Sequence, residues 1–212
     1  MNKHKEVYDH IMSLLLAANI RLGQRLLVKH LCEELGVSRQ PVMTALNRLE
    51  AEGLVDILPQ VGCEVINPGR SEIADFFSMF ERQEGLLAEL AAERRTELQL
   101  EYLRRLHRGM MTGNVGEQDK ISEHGASGGA FHWMVHAMAR TPLLARRQRG
   151  HFKMFDLFLG QLGGSELVAE YPAQEHQEIV DAIAMQAPLR ARMAMENRIG
   201  SMAKTALAAI QA

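Results

Sequence analysis

The chain has 212 residues, 47% hydrophobic and 24% charged, with a formal net charge of -2. That is apolar material enough for one large packed domain or two modest ones, which argues against a disordered chain. The charge excludes a globally basic nucleic-acid binder: even the first 66 residues set Lys3, Lys5, Arg21, Arg25, Lys29, Arg39 and Arg48 against Glu6, Asp9, Glu33, Glu34, Glu50, Glu52, Asp56 and Glu64. Any contact with DNA must therefore rest on local geometry. The two cysteines, Cys32 and Cys63, show no metal-ligand spacing and are too few for a disulfide framework, so a reducing cytoplasm is the expected location. No stretch approaches the roughly 20 apolar residues that cross a bilayer, so no membrane partner is expected. The N-terminal apolar run lacks a cleavage site and reads as a helix instead of a signal peptide.

In chain order, "KEVYDHIMSLLLAAN" places Val7, Ile11, Leu14, Leu15 and Ala18 on one helical stripe. "LLVKHLCEELG" predicts a second short helix stopped at Gly36. Ser38 caps a third, with Val37 and Val42 placed to staple across the cap. Beyond Gly53, Val55 and Ile57 alternate with polar neighbours before Pro59 to Gly62, and Cys63 and Val65 resume the alternation: a small hairpin. Pro68 to Arg70 reads as a linker, and Ser71 as the N-cap of a fresh helix. From there the pattern is helical over 71–95, 97–111, 121–139, 142–161, 172–186 and 188–210. The breaks fall at Gly113–Gly116, Thr141-Pro142, Gly163-Gly164, Tyr171-Pro172 and Ala187-Pro188. Long amphipathic helices with short breaks predict an antiparallel bundle. Met134, Met138, Met154, Met185, Met193 and Met195 are expected in its core as gap fillers.

Within the third helix, Val42, Ala45, Leu46 and Leu49 follow the i, i+3, i+4, i+7 rule and face inward. Arg39, Gln40, Met43 and Asn47 are left outside. A short helix, a tight turn at Gly36, a second helix and a hairpin make a winged helix-turn-helix, whose second helix enters the major groove N-terminus first. Arg39 matches the paired acceptors of guanine, and Gln40 the donor and acceptor of adenine. Ser38 and the helix N-terminus suit a phosphate oxygen. The plain alternative is a surface helix with solvated polar residues.

Leu22 to Val65, "LGQRLLVKHLCEELGVSRQPVMTALNRLEAEGLVDILPQVGCEV", closely resembles the N-terminal domain of GntR-family transcription regulators. That family's pattern is Pro-Gly-(Glu/Gln)-(Arg/Lys)-Leu, then Leu-Gly-Val-Ser-Arg-x-Pro-Val-Arg-Glu-Ala-Leu, then Leu-Glu-x-Glu-Gly-Leu and a wing glycine. Here these read Leu22 to Leu26, Leu35 to Leu46, Leu49 to Leu54, and Gly62. The resemblance implies DNA contacts from Lys29, Arg39 and Gln40, Ser38 near a phosphate, and Gly62 at the tip of a minor-groove wing. Met43 and Asn47 complete the expected DNA-facing set. Met43 replaces the family's arginine and offers only contact with a thymine methyl; Gln60-Val61 replaces a commonly basic wing pair. Both departures predict a different operator and fewer phosphate contacts.

The helical remainder is similar in layout to the FadR-type effector domain of the FCD subfamily. Phe131-His132 matches its Phe-His, and His176 its second histidine, but Gly128 stands at its aspartate position and Arg198 at its third histidine. Zinc-type sites want about four N/O/S donors, and a guanidinium repels the cation. No metal and no cofactor is therefore expected. An arginine beside two histidines suits a carboxylate effector, with Arg198 as anchor and His132 and His176 as donors; the alternative is that Arg198 pairs with an internal Glu or Asp. A family arginine early in the first bundle helix aligns with Phe80, and Arg82 points about 200° away from it. His136, one turn after His132, is expected to be exposed or half-buried.

The expected protein is mostly α: a winged helix-turn-helix of three helices and a small hairpin over 1–67, a linker over 68–70, and an antiparallel helical domain for effector binding and dimerisation over 71–212. Its expected function is a homodimeric regulator, a repressor by preference, binding a palindromic double-stranded operator and sensing a small carboxylate. The alternatives are a constitutive DNA-binding dimer that has lost its effector, and a helical metallohydrolase built on His132, His136 and His176.

Overall fold

The structure, a computed structural model, describes residues 3–58, 62–112, 129–162 and 174–209. Helix α1 (Lys3–Leu16) buries Val7, Tyr8, Ile11, Met12 and Leu15 against α3 (Arg39–Ala51). The expected stripe is thus rotated: Tyr8 and Met12 are buried, Leu14 is half-buried, and Ala18 lies past the helix end with φ of 54°. Helix α2 (Val28–Leu35) stops at Gly36, whose φ of 61° is the left-handed value an L side chain resists. The chain then turns through extended Ser38 into α3.

Strands β2 (Val55–Leu58) and β3 (Gly62–Val65) form the hairpin, with Ile57 opposite Cys63 and Val55 opposite Val65. A strand the sequence reading lacked, β1 (Arg25–Leu26), adds antiparallel to the outer side of β3, giving the order β1-β3-β2. Two residues are too few to show alternation, and the second helix, expected from Leu26, begins only at Val28. Residues 59–61, including the wing pair Gln60-Val61, lie outside the described residues.

The second unit is helical: α4 (Arg70–Arg94), α5 (Glu97–Thr112), α6 (Gly129–Ala139), α7 (Pro142–Leu162), α8 (Gln174–Ala184) and α9 (Pro188–Ala209). Ser71 does not cap α4. Gly69 holds the cap position, and its N–H donates to Glu72 Oε2 at 2.8 Å, so the helix begins one residue earlier. Central α4 runs antiparallel to α9: Arg192 reaches Glu89 at 3.6 Å, while Gly200 lies against Glu81. Phe77 and Phe80 of α4 interleave with Phe152, Phe155 and Phe158 of α7, the Phe80 and Phe155 rings stacking at 4.6 Å. The position aligned with the family arginine is therefore filled by a core aromatic, and Arg82 is exposed. Arg95 donates to the carbonyls of Ile183 and Ala184 at 3.1 and 2.8 Å, satisfying the open C-terminal end of α8.

Of the six methionines expected inside, Met138 and Met195 are fully buried and Met134 and Met154 half-buried. Met185 and Met193 are 67% and 61% exposed, because one falls in the turn after α8 and the other on the outer face of α9. Among the described residues, no helix is long and apolar enough to cross a membrane. The predicted segments 121–128 and 172–173, and residue 210, fall outside the described residues.

Candidate functional site

The DNA-facing surface expected from the sequence lies along α3. Arg39, Gln40 and Asn47 are exposed there, and Lys29 on α2 is 85% exposed, with only a 3.7 Å pairing to Glu33. An exposed i,i+4 pair of this kind is weak and gives way readily to a phosphate. Ser38 makes no side-chain cap hydrogen bond. Pro41 explains part of this: it occupies the third helical position, where the N–H that a capping hydroxyl usually accepts from is missing. Gly62 is exposed with φ of 135° and opens β3. Met43 departs from the expected outward placement. It is half-buried against the core of the winged helix, because three residues separate it from fully buried Leu46 and so set it at the border of the apolar face. Thr44 Oγ1 donates back to the Gln40 carbonyl at 3.0 Å.

The second feature is a buried cluster around Glu84, a residue absent from the expected site. Glu84 is fully buried on α4. Its Oε2 accepts from His132 Nδ1 at 2.7 Å; its Oε1 accepts from His136 Nε2 at 2.7 Å and Gln148 Nε2 at 2.9 Å. Burial by itself works against the charge, but His136 and His132 outweigh it and bring the Glu84 carboxyl down to about 2. An ionised carboxylate only accepts, so both imidazoles turn an N–H toward it. Burial depresses the pKa of His132 although Glu84 pulls the other way. With Nδ1 engaged by Glu84, Nε2 is the His132 ring nitrogen left for a ligand.

The three residues expected from separate helices do come together. The His132 and His176 rings lie 6.3 Å apart, Phe131 stands edge-on to His176 at 4.6 Å, and Arg198 is near enough to depress both imidazoles. His176 is 3% exposed, and neither ring nitrogen has a partner among the described residues. Burial first, then Arg198, His132 and His107, push its pKa far below the ordinary histidine value. Arg198, 4% exposed, pairs with an internal acid: its Nη1 donates to Glu175 Oε2 at 3.2 Å.

His136 is 3% exposed, not exposed or half-buried as expected, because the Glu84 carboxylate draws it inward. A signal for Glu84 was present in the sequence: it is an acid one turn after Phe80 and one turn before Leu87-Ala88, on a stripe otherwise apolar. Gly128 lies outside the described residues. Among the described residues, no three His, Cys, Asp or Glu side chains converge to hold a metal. Glu84 is engaged with His132 and His136, and Arg198 sets a cation beside the neighbouring His107, His132 and His176 rings, so these residues do not fit the four-donor set of a zinc-type ion.

Residues 3–65 match the family model of bacterial regulatory proteins of the gntR family, and residues 75–201 match that of the FCD domain. The chain belongs to the GntR family, FadR-type with an FCD domain. Solved structures share this GntR fold end to end. The Escherichia coli McbR/YncC structure has a TM-score of 0.71 at 18% identity, covering 95% of each chain. A Rhodococcus sp. RHA1 protein assigned to the GntR transcriptional regulators has a TM-score of 0.70 at 16% identity, covering 98% of this chain and 99% of that one. Lar, a protein described as controlling expression of the Listeria monocytogenes agr system, has a TM-score of 0.61 at 18% identity, covering 96% and 95%. No curated protein matches by sequence. This GntR protein is a DNA-binding transcription regulator and not an enzyme, so the metallohydrolase reading falls.

Proposed function

We propose that this regulator is a cytoplasmic homodimeric repressor. It reads a palindromic operator through Lys29, Ser38, Arg39, Gln40, Asn47 and the wing at Gly62, with Met43 flanking, and its bundle senses a small carboxylate without a metal. The observation that carries the effector reading is a buried guanidinium, Arg198, beside a neutral imidazole, His176, whose nitrogens have no partner among the described residues. A carboxylate would displace the half-buried Glu175 from Arg198 and accept one His176 N–H, while His132 Nε2 accepts from a hydroxyl. That combination favours a hydroxy acid over a simple acid. Binding would shift the population between DNA-competent and incompetent arrangements of the two winged helices.

The Arg198–Glu175 pair itself supports a second reading, a constitutive DNA-binding dimer whose effector site is closed by its own glutamate. One experiment separates them. The operator is first selected from a random DNA pool; melting temperature and operator release are then measured with acetate, pyruvate, lactate, malate and citrate. The sensing reading expects at least one acid to raise the melting temperature, since it binds only the folded state, and Arg198→Ala to remove the rise. No shift with any acid favours the constitutive dimer. A shift that survives Arg198→Ala removes Arg198 as anchor.

A further inference from the structure

Helix α7 touches both candidate sites within a few residues. On one side, Gln148 donates to Glu84, and the Phe152 ring lies 5.0 Å from that of His132 and 5.8 Å from that of His136. On the other, Lys153 Nζ donates to Glu52 Oε1 at 2.6 Å and to the Tyr8 hydroxyl at 2.9 Å. Glu52 is the C-cap residue of α3, the reading helix. Tyr8 also donates to Glu52, and Arg48 of α3 lies 3.7 Å over the Tyr8 ring while reaching Glu52 at 3.2 Å. The Glu52 carboxylate is thus gripped from three elements. Burial disfavours its charge, yet Lys153 and Tyr8 hold its pKa below the ordinary value.

Two turns further, α7 is fixed to the winged helix a second time. Gln161 Nε2 donates to the carbonyls of Leu15 and Ile20 at 2.7 and 2.8 Å, and its Oε1 accepts from the Leu22 N–H at 3.2 Å. A methyl group at Gly160 would sit 2.1 Å from the Leu16 carbonyl oxygen, so glycine is what lets α7 lie on the end of α1. Leu157, between these anchors, is fully buried in the core of the winged helix.

We propose that α7 couples the Glu84 cluster to DNA reading, with Lys153 as the positioning residue that transmits the state of the cluster to α3. The physical basis is short and stiff. Five residues of helix, about 7.5 Å of rise, separate the Glu84 contact at Gln148 from the α3 contact at Lys153. Phe152 and Lys153 are adjacent in the chain and emerge on different sides of the helix, so a displacement of Phe152 by its imidazole neighbours moves Lys153 with it. Gln161 and Gly160 hold the far end against α1 and give that movement a fulcrum. The biological use of the coupling rests on the sensing role proposed for the bundle; the coupling itself does not.

The test is a double-mutant cycle on the full-length protein with its selected operator and no added ligand. Glu84→Gln removes the charge that holds His132 and His136, and is expected to change operator affinity by about 2- to 30-fold, the range of such couplings. In a Lys153→Met background the same substitution is expected to change affinity by less than about 2-fold. Lys153→Met alone is expected to leave the dependence of binding on salt unchanged, since Lys153 bonds Glu52 and not a phosphate. An effect of Glu84→Gln that is equal in both backgrounds overturns the proposal, as does no effect with Lys153 in place. A flattened salt dependence overturns it too, by making Lys153 a phosphate contact. Gln148→Leu, which keeps the Glu84 charge, repeats the cycle if Glu84→Gln does not fold. No carboxylate enters the cycle, so its failure is separate from failure of the melting-temperature test.

Discussion

His176 carries the clearest pH signature in the molecule. It is buried beside a guanidinium and two other histidines, and its pKa is driven far below that of a free imidazole. A group depressed on folding stabilises the protein above its unfolded pKa, and that stability is lost as pH falls toward the folded value. The loss should therefore begin below pH of about 6.5, the ordinary histidine value. It is joined by His132, also depressed, and reaches Glu84 only between 4.5 and about 2. His176→Phe should remove a slope that grows to about 1.4 kcal/mol per pH unit as pH falls from 6.5 to 5. Chemical denaturation at three pH values checks this, and equal slopes in variant and parent would remove His176 as the cause. Met43 belongs to the same scale. Its half-buried thioether covers the core of the winged helix, so Met43→Arg should lower stability by about 1 kcal/mol, whatever donor it adds for DNA. An unchanged melting temperature would place Met43 wholly on the DNA side.

At the level of the element, α3 makes separable predictions. Ser38→Ala ordinarily costs a helix about 1 kcal/mol, but here the hydroxyl caps nothing, and less than about half of that is expected. If the same hydroxyl meets a phosphate, operator affinity should fall alike for all sequences, which a binding titration reads directly. Arg39→Ala should instead cost about 1–3 kcal/mol at one base pair and relax preference there. Selection of bound DNA from a random pool with this variant shows which position loses its information. Elements also show where local sequence signals end. The 2-residue β1 exists only because β3 offers an edge, with Leu26 opposite Cys63. The N-cap of α4 is Gly69 and not Ser71 because Glu72 reaches back to the Gly69 N–H. Both depend on a partner that the local residue types do not announce.

For the whole molecule, the contact between winged helix and bundle makes one further prediction. Gly160→Ala drives a methyl group into the Leu16 carbonyl and must push α7 away from α1. It should destabilise the protein by about 1–3 kcal/mol and loosen the Gln161 hydrogen bonds to Leu15 and Ile20. A thermal melt, with hydrogen exchange of the amides near the end of α1, checks both. What the sequence by itself determined is everything carried by period and by local chemistry. The i, i+3, i+4 rule put Val42, Ala45, Leu46 and Leu49 inside, Gly36 turned the helix pair, and Pro142 and Pro188 opened two helices of the bundle. Tertiary structure alone decided what depends on which distant side chain lies opposite. It drew His136 inward and turned the His132 Nδ1 toward a carboxylate by setting Glu84 between them, 52 and 48 residues away in the chain. It closed Glu175 on Arg198, and it joined Lys153 to Glu52 across 101 residues. Periodicity says which face of a helix is buried. The pairing of two buried charges is settled only by the packing that brings them together, because each must find a partner once water is gone.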